Sequence, residues 1–496
     1  MKLKSSWWVI ALLAITQTSY AQFNQDAFRF SQFDRGSTSR MKALGNASTA
    51  VGGDLSSISS NPAGLGFFNG SEFSFTPEVN LSDVSSTYFG NRNSSTKNQF
   101  NLNNAAAVFH SSRRVPRGTD PSKGLLSVNF GLSWNRTNNF YDNLDFSGLN
   151  TSSNLDNNSS IADWFAEQAN LVGGSIDDLY NYPNPVGYWG YQHYLIDSVG
   201  TDSYGNLYNA LPQLGTAQQR YVQSTEGGQN EFNLALGLNF SNQLYLGFGA
   251  AFTNLRYNSY SNFIESGKIG NDTYETNFRN DQETTGSGFN FKLGMIYKPA
   301  PSVQFGASFT SPTWYSIDNH STLGLQTRFS DGTAIPEEPE PFDDNYNLRT
   351  PLKASGGLAV FFNQRGFITA DVEYVDYQGM KLSNYESSGD DNRRIKDLYK
   401  STVNARVGAE GRVNDNVYLR AGYSYFQNPE KGIGSATNTI SGGIGYRMNN
   451  FYVDATYTNV SRTVNVYPYE LVNRPSPEAT LDKKYNNIYM TVGFRF

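Results

Sequence analysis

Three histidines, His110, His193 and His320, are the side chains best suited to proton transfer or metal binding, and they fall in unrelated segments. A hydrolytic site on a membrane wall needs Ser/His/Asn or Asp/His brought to one place. Here His110 is expected near a strand end and the other two in different loops, so all three read as solvated surface residues. Cysteine is absent, which removes disulfides and thiolate metal sites. Asp343-Asp344-Asn345 and Asp390-Asp391-Asn392 carry oxygen donors that suit calcium, but ordinary polar turns account for them equally well. Residues 336–341 (PEEPEP) read as a stiff acidic loop, and no glycine-rich phosphate motif follows a strand. No catalysis, metal or cofactor is therefore expected. The formal net charge of -6 is mild for 496 residues and argues against a nucleic-acid surface.

The elements that would carry any function begin with an export signal. Lys2 and Lys4 precede an apolar run from Trp7 to Ile15, and Ser19-Tyr20-Ala21 has the small residues of a cleavage site. That run of about 9 residues is too short for a spanning helix, which needs about 20. Residues 1–21 are thus expected to be a removed signal peptide. The mean hydropathy of -0.52 suits a soluble protein, but it also suits a barrel, whose strands give only alternate residues to lipid.

Period-two alternation is the main structural signal. Leu126, Val128, Phe130, Leu132 and Trp134 interleave with polar or small residues, as do Phe232, Leu234, Leu236, Leu238 and Phe240. Phe289 to Tyr297 and Ile488 to Phe496 repeat the pattern. A register slip of one would place Lys, Arg or Glu on the apolar face. Fourteen strands are expected, near 72–82, 98–110, 124–137, 228–240, 244–260, 284–298, 302–317, 346–362, 366–380, 396–412, 416–428, 436–448, 451–466 and 484–496. Short connections such as Ser241-Asn242-Gln243 and Asn449-Asn450 alternate with long polar ones (83–97, 138–227, 261–283, 318–345). Tight turns at one rim and long loops at the other describe an all-β, antiparallel transmembrane barrel of an outer membrane, with 72–496 as the barrel and Phe496 on its lipid face.

Residues 22–71 alternate badly and are rich in Gly, Ala and Ser. A barrel of this size leaves a wide lumen, and an N-terminal hatch, or plug, would fill it. The run from Gly52 to Phe75 (GGDLSSISSNPAGLGFFNGSEFSF), with SPTWYSI (311–317) and residues 350–382, resembles the FadL family of outer-membrane transporters of long-chain fatty acids and other hydrophobic molecules. It resembles in particular the members from Bacteroidetes-type bacteria often labelled hemin receptors. The resemblance covers the mature chain.

It implies passive uptake: an apolar ligand adheres to an extracellular groove, enters an internal pocket, and leaves sideways when the hatch moves. Asn61, Pro62, Ala63 and Gly64 would form the gating turn, in which Asn61 holds the loop by hydrogen bonds, Pro62 fixes φ, and Ala63-Gly64 permit close approach. Gly131, inward on the third strand, is a candidate for a kink or gap in the wall. The long loop 138–227 is expected to carry short helices. Ser160 would cap one that presents Ile161, Trp164, Phe165 and Val172 on one face. With Tyr188 and Trp189 from the aromatic run 180–195, Trp164, Phe165 and Val172 form the candidate ligand groove, or else only the packing of a lid. The expected partners are hydrophobic small molecules and outer-membrane lipid, and the expected state is a monomer. Two alternatives stand beside this reading: heme capture through His193, flanked by Tyr191 and Tyr194, and a non-transport barrel that docks secreted proteins.

Overall fold

The computed structural model describes residues 21–113, 120, 122–151, 159–201, 207–363, 365–472 and 474–496. The expected signal peptide lies outside these residues except for Ala21. The barrel closes with fourteen antiparallel strands. They are β1 (Glu72–Tyr88), β2 (Asn91–Ser112), β3 (Leu125–Asn139, continued by Asp142–Asn150), β4 (Ala217–Phe240), β5 (Leu244–Ile269), β6 (Asp272–Ala300), and β7 (Val303–Thr310 and Trp314–Phe329). Then come β8 (Glu340–Arg349 and Lys353–Phe361), β9 (Gly366–Val375, continued by Lys381–Ser383), β10 (Thr402–Arg412), β11 (Val417–Phe426), β12 (Thr437–Met448), β13 (Phe451–Val466) and β14 (Ala479–Arg495). Closure is made by β1 against β14, from Glu72↔Arg495 to Tyr88↔Ala479. A barrel leaves no open sheet edge in lipid, where an unpaired amide is costly.

The lipid-facing band follows from the alternation. Phe248 and Phe252 on β5, Phe289, Phe291, Leu293, Met295 and Tyr297 on β6, and Ile488, Met490 and Phe494 on β14 all point outward. On β4, β5, β6 and β14 the apolar outward residues extend over about 9 positions, close to the length that crosses a membrane at barrel tilt. Phe496 stands exposed at the end of β14, and its backbone exchanges hydrogen bonds with that of Ser71.

Several segments expected as loops are strand. β1 and β2 meet in a tight turn at Phe89-Gly90, and β5 and β6 meet at Gly270-Asn271, so 83–97 and 261–283 are hairpins. β7 and β8 likewise run on through most of 318–345. Above the membrane the outward positions turn polar and the inward ones mix polar residues with apolar ones such as Phe263 and Tyr274, so the alternation that marks a strand in lipid weakens there. The ladder hydrogen bonds continue regardless.

Before β1 the chain forms α1 (Ala21–Ser31), α2 (Ser39–Ala43) and two 3-10 turns, Leu55–Ile58 and Pro62–Phe67. The segment between β3 and β4 carries α3 (Ile161–Val172), α4 (Ile176–Tyr180) and α5 (Val186–Gln192), and α6 (Ser388–Leu398) precedes β10. Asp390 and Asp391 thus lie in the first turn of a helix. Among the described residues no cluster of three or more metal-ligating side chains occurs.

Candidate functional site

The NPA turn is built from its own residues. Asn61 caps the short helix Pro62–Phe67: its side-chain oxygen accepts from the Ala63 amide at 3.2 Å, and Pro62 occupies the first helical position, where no amide is needed. The Asn61 amide group donates to the Thr49 carbonyl at 2.7 Å and to the Met295 carbonyl of β6 at 3.3 Å. One side chain therefore ties the turn to itself, to the preceding loop and to the wall. Pro62, Ala63 and Gly64 are buried.

The wall makes room with glycine. A Cβ at Gly247 or Gly294 would overlap the backbone of Pro62-Ala63 or the Asn61 oxygen. A Cβ at Gly306 would overlap Thr49, and one at Gly408 or Gly422 would press on Leu44 and Gly45. The N-terminal segment lies directly on barrel backbone at these points, which only glycine permits. Gly131 belongs to the same set. It pairs with Val108 and Ala235 in an unbroken ladder, and the space above it is filled by Ile58 and Leu65. It therefore marks close approach of the N-terminal segment.

Polar contacts complete the seating. Arg40 of α2 binds Glu410 at 2.8 Å, and Arg420 joins the same carboxylate at 2.7 Å while holding Asp454 at 2.6 Å. Arg35 and Arg406 share Glu373. Asp371 accepts from both the amide and the hydroxyl of Thr49. These carboxylates sit at inward strand positions and were passed over in the sequence reading. Their alternation with apolar residues was the available signal.

The wall is interrupted beside β3. The β2–β3 ladder runs from Ser112↔Ser127 to Asn104↔Asn135 and ends there. Beyond it β2 pairs only with β1, and β3 pairs only with β4, with a register shift between Arg136 and Asn138. The continuation of β3 passes against the β1–β2 hairpin, where Ser95 donates to the Asn143 carbonyl and Ser82 to Asp142. Side chains bridge the seam. Lys97 donates to Ser224, to the Thr225 carbonyl and to Glu226 (3.2 Å), and Arg136 reaches Asn101 and the Gly227 carbonyl. Phe100 stands 74 % exposed on the outer face of the unpaired stretch.

Beneath α1 a cavity of about 30 Å³ is lined by Phe30, Phe33, Tyr315, Glu231, Lys292 and Lys353, among others. The Lys353 ammonium lies 3.5 Å from the centre of the Phe33 ring, a cation–π contact.

At the extracellular end, Ser160 caps α3 in a capping box with Asp163. The candidate groove residues gather here as the inside of a lid. Phe165 is fully buried and Trp189 nearly so, in one cluster with Ile161, Leu179, Phe263 and Tyr274; Trp164, Val172 and Tyr188 pack against it. Glu265 of β5 anchors the cap by accepting from Ser160 and from the Ile161 amide. His193 is also inside, 3 % exposed, sharing a 3.0 Å hydrogen bond with Thr327. It is thus not the surface histidine expected, and burial pushes its pKa down to about 4. His320 does lie at the surface, 2.6 Å from Asp343. His110 shares a hydrogen bond with Asn129 at 2.8 Å.

A closed fourteen-strand barrel with an apolar outer band and a segment seated in its lumen defines an outer-membrane transport barrel. The chain belongs to the outer membrane protein transport family (OMPP1/FadL/TodX), whose model matches residues 222–493. This places it in the outer membrane, in a family of transport channels. The toluene transporter TodX of P. putida superposes with a TM-score of 0.53 over 93% of this chain and 99% of its own, at 14% identity. A Pseudomonas aeruginosa FadL homologue does so with the same TM-score and identity, over 93% and 98%. At such identities the likeness is one of fold. No curated protein sequence matches the chain.

Proposed function

We propose that this protein passes small hydrophobic molecules, long-chain fatty acids or monoaromatic compounds among them, from the cell exterior into the barrel and out sideways through the seam beside β3. The observation that carries this reading is the seam itself: from Asn104 toward Asn91 β2 has no backbone ladder with β3, and only side chains cross the gap. A barrel gains by completing its ladder, so one that opens at the outer edge of the apolar band is a structural cost that a lateral exit would explain. An apolar molecule leaving there stays out of water and enters the bilayer directly. In this reading residues 22–71 are the hatch, and Asn61 to Gly64 form the gating turn whose bonds to Thr49 and Met295 must break. The lid helices α3 to α5 would cover the entrance, with Trp164, Phe165, Val172, Tyr188 and Trp189 meeting ligand once the lid opens. The toluene transporter TodX shares this fold, which favours a compact apolar cargo. Heme capture is less favoured, because His193 is buried against Thr327.

The chain has no native cysteine, so a pair placed at Ser95→Cys and Asn143→Cys can be bridged by a short thiol cross-linker without side reactions. Uptake of labelled oleate and labelled toluene by cells carrying this pair should fall on cross-linking and remain normal without it. Uptake that is indifferent to the bridge would remove the lateral route.

A further inference from the structure

The outer face of the barrel carries one row that breaks the pattern of its lipid band. Residues directly opposite in an antiparallel ladder share a face, so the row can be followed from strand to strand. Trp134 pairs with Phe232, Phe232 with Phe252, Phe252 with Phe289, and Phe289 with Trp314. This is an aromatic girdle of the kind that sits at a membrane interface. Trp314 then pairs with Arg349, and Arg349 with Lys381. Both cations are exposed, and among the described residues neither side chain makes a hydrogen bond or an ion pair.

Two like charges facing each other across a ladder are destabilising. The fold accepts that cost without placing a carboxylate beside either. Their height is informative. Trp314 stands about 11 residues from the periplasmic end of β7 and Arg349 about 12 from that of β8, and Lys381 is held at the level of Arg349 by their pairing, whereas about 9–11 residues cross the hydrocarbon. The cations therefore lie just above the apolar band, at the level of the outer-leaflet headgroups. Below them Phe309, Leu358, Val372 and Tyr374 present an exposed apolar wall.

We propose that Arg349 and Lys381, with Trp314 at their foot, bind the phosphate of an outer-leaflet lipid whose acyl chains lie on that wall. A planar guanidinium beside an ammonium suits a phosphate monoester, and the site is half polar and half apolar, as an amphiphile is. Continuity with the lipid band commits the site to a lipid phosphate over a free anion. An occupied site would also cancel the repulsion that the empty ladder carries.

The test uses the full chain in detergent, titrated with phosphorylated lipid A in mixed micelles, with the same lipid after enzymatic dephosphorylation, and with inorganic phosphate. Native mass spectrometry reads bound lipid. Removing the phosphate, or replacing both cations in Arg349→Gln/Lys381→Gln, should each weaken binding at least about tenfold. Arg349→Lys/Lys381→Arg should bind like the parent, and so should Arg256→Gln, which removes a lone outward cation on β5. Heat-modifiability on gels checks that each variant is folded, and no loss is expected because the double variant relieves repulsion. Undiminished binding by the folded double variant would overturn the site. So would equal binding of the dephosphorylated lipid, or displacement of the lipid by millimolar inorganic phosphate.

Discussion

The lumen and the lid both use apolar and polar contacts to hold chain segments in place, but in different proportions. In the lumen, residues 22–71 lie on glycine-lined backbone and are fastened by directional groups: Asn61, Thr49, Ser39, and the arginines that meet Glu373 and Glu410. At the extracellular rim, α3 to α5 are held by an aromatic and aliphatic core around Phe165 and Trp189. Hydrophobic burial is non-directional and tolerates sliding, whereas a buried polar network has few satisfactory arrangements. A part seated by the second kind of contact should move between discrete positions. One held by the first should loosen gradually.

Removing Arg420 tests the polar side most severely. Arg420→Ala leaves Asp454 and Glu410 short of a buried partner, a loss of about 3–5 kcal/mol, and hydrogen exchange should rise in 34–68 with the lid unchanged. Protection that falls equally in both regions would show that they are one unit. Phe165→Ala is the mirror experiment. Truncating a buried Phe costs about 3–5 kcal/mol where the site cannot collapse, toward the lower end here because loop helices can resettle. Exchange should rise across 160–195 alone.

Asn61→Ala is smaller. Loss of a helix cap costs about 0.5–2 kcal/mol, and the bonds to Thr49 and Met295 go with it, so exchange of the 61–67 amides should quicken while the barrel keeps its heat-modifiability. If those amides stay protected, the glycine seat alone holds the turn.

Acidification gives the smallest effect and falls on the lid. His193 has a folded pKa of about 4 against about 6.5 in an unfolded chain, so it is buried neutral and the open state binds more protons. Its contribution is complete above pH 6.5 and is lost as the pH falls toward 4. Lid exchange should rise over that window in the parent and not in His193→Gln, and residues 34–68 should not share the response.

Much of the strand architecture was legible because lipid on one side and lumen on the other impose a two-residue period. β4, β5, β6 and β14 could be read from Phe, Leu and Met set against Asn, Gly and Lys. Where water replaces lipid on the outer side and the inward residues are of mixed polarity that period fades, which is why the hairpin at Phe89-Gly90 and the upper parts of β5 to β8 read as loops. The turn at Asn61-Pro62-Ala63 was legible because proline and asparagine have local conformational preferences.

Local pattern by itself determined the alternation, the strand number, the helix cap at Ser160 and the turn chemistry of the N-terminal segment. Only the tertiary structure decided which inward glycines admit that segment, that Gly131 serves contact with it, and that the ladder opens at Asn104 and Asn135. It also decided that the aromatic run of the long loop faces inward as a core. Each of these depends on which strands become neighbours and at what register, and that is set by closure of the whole barrel.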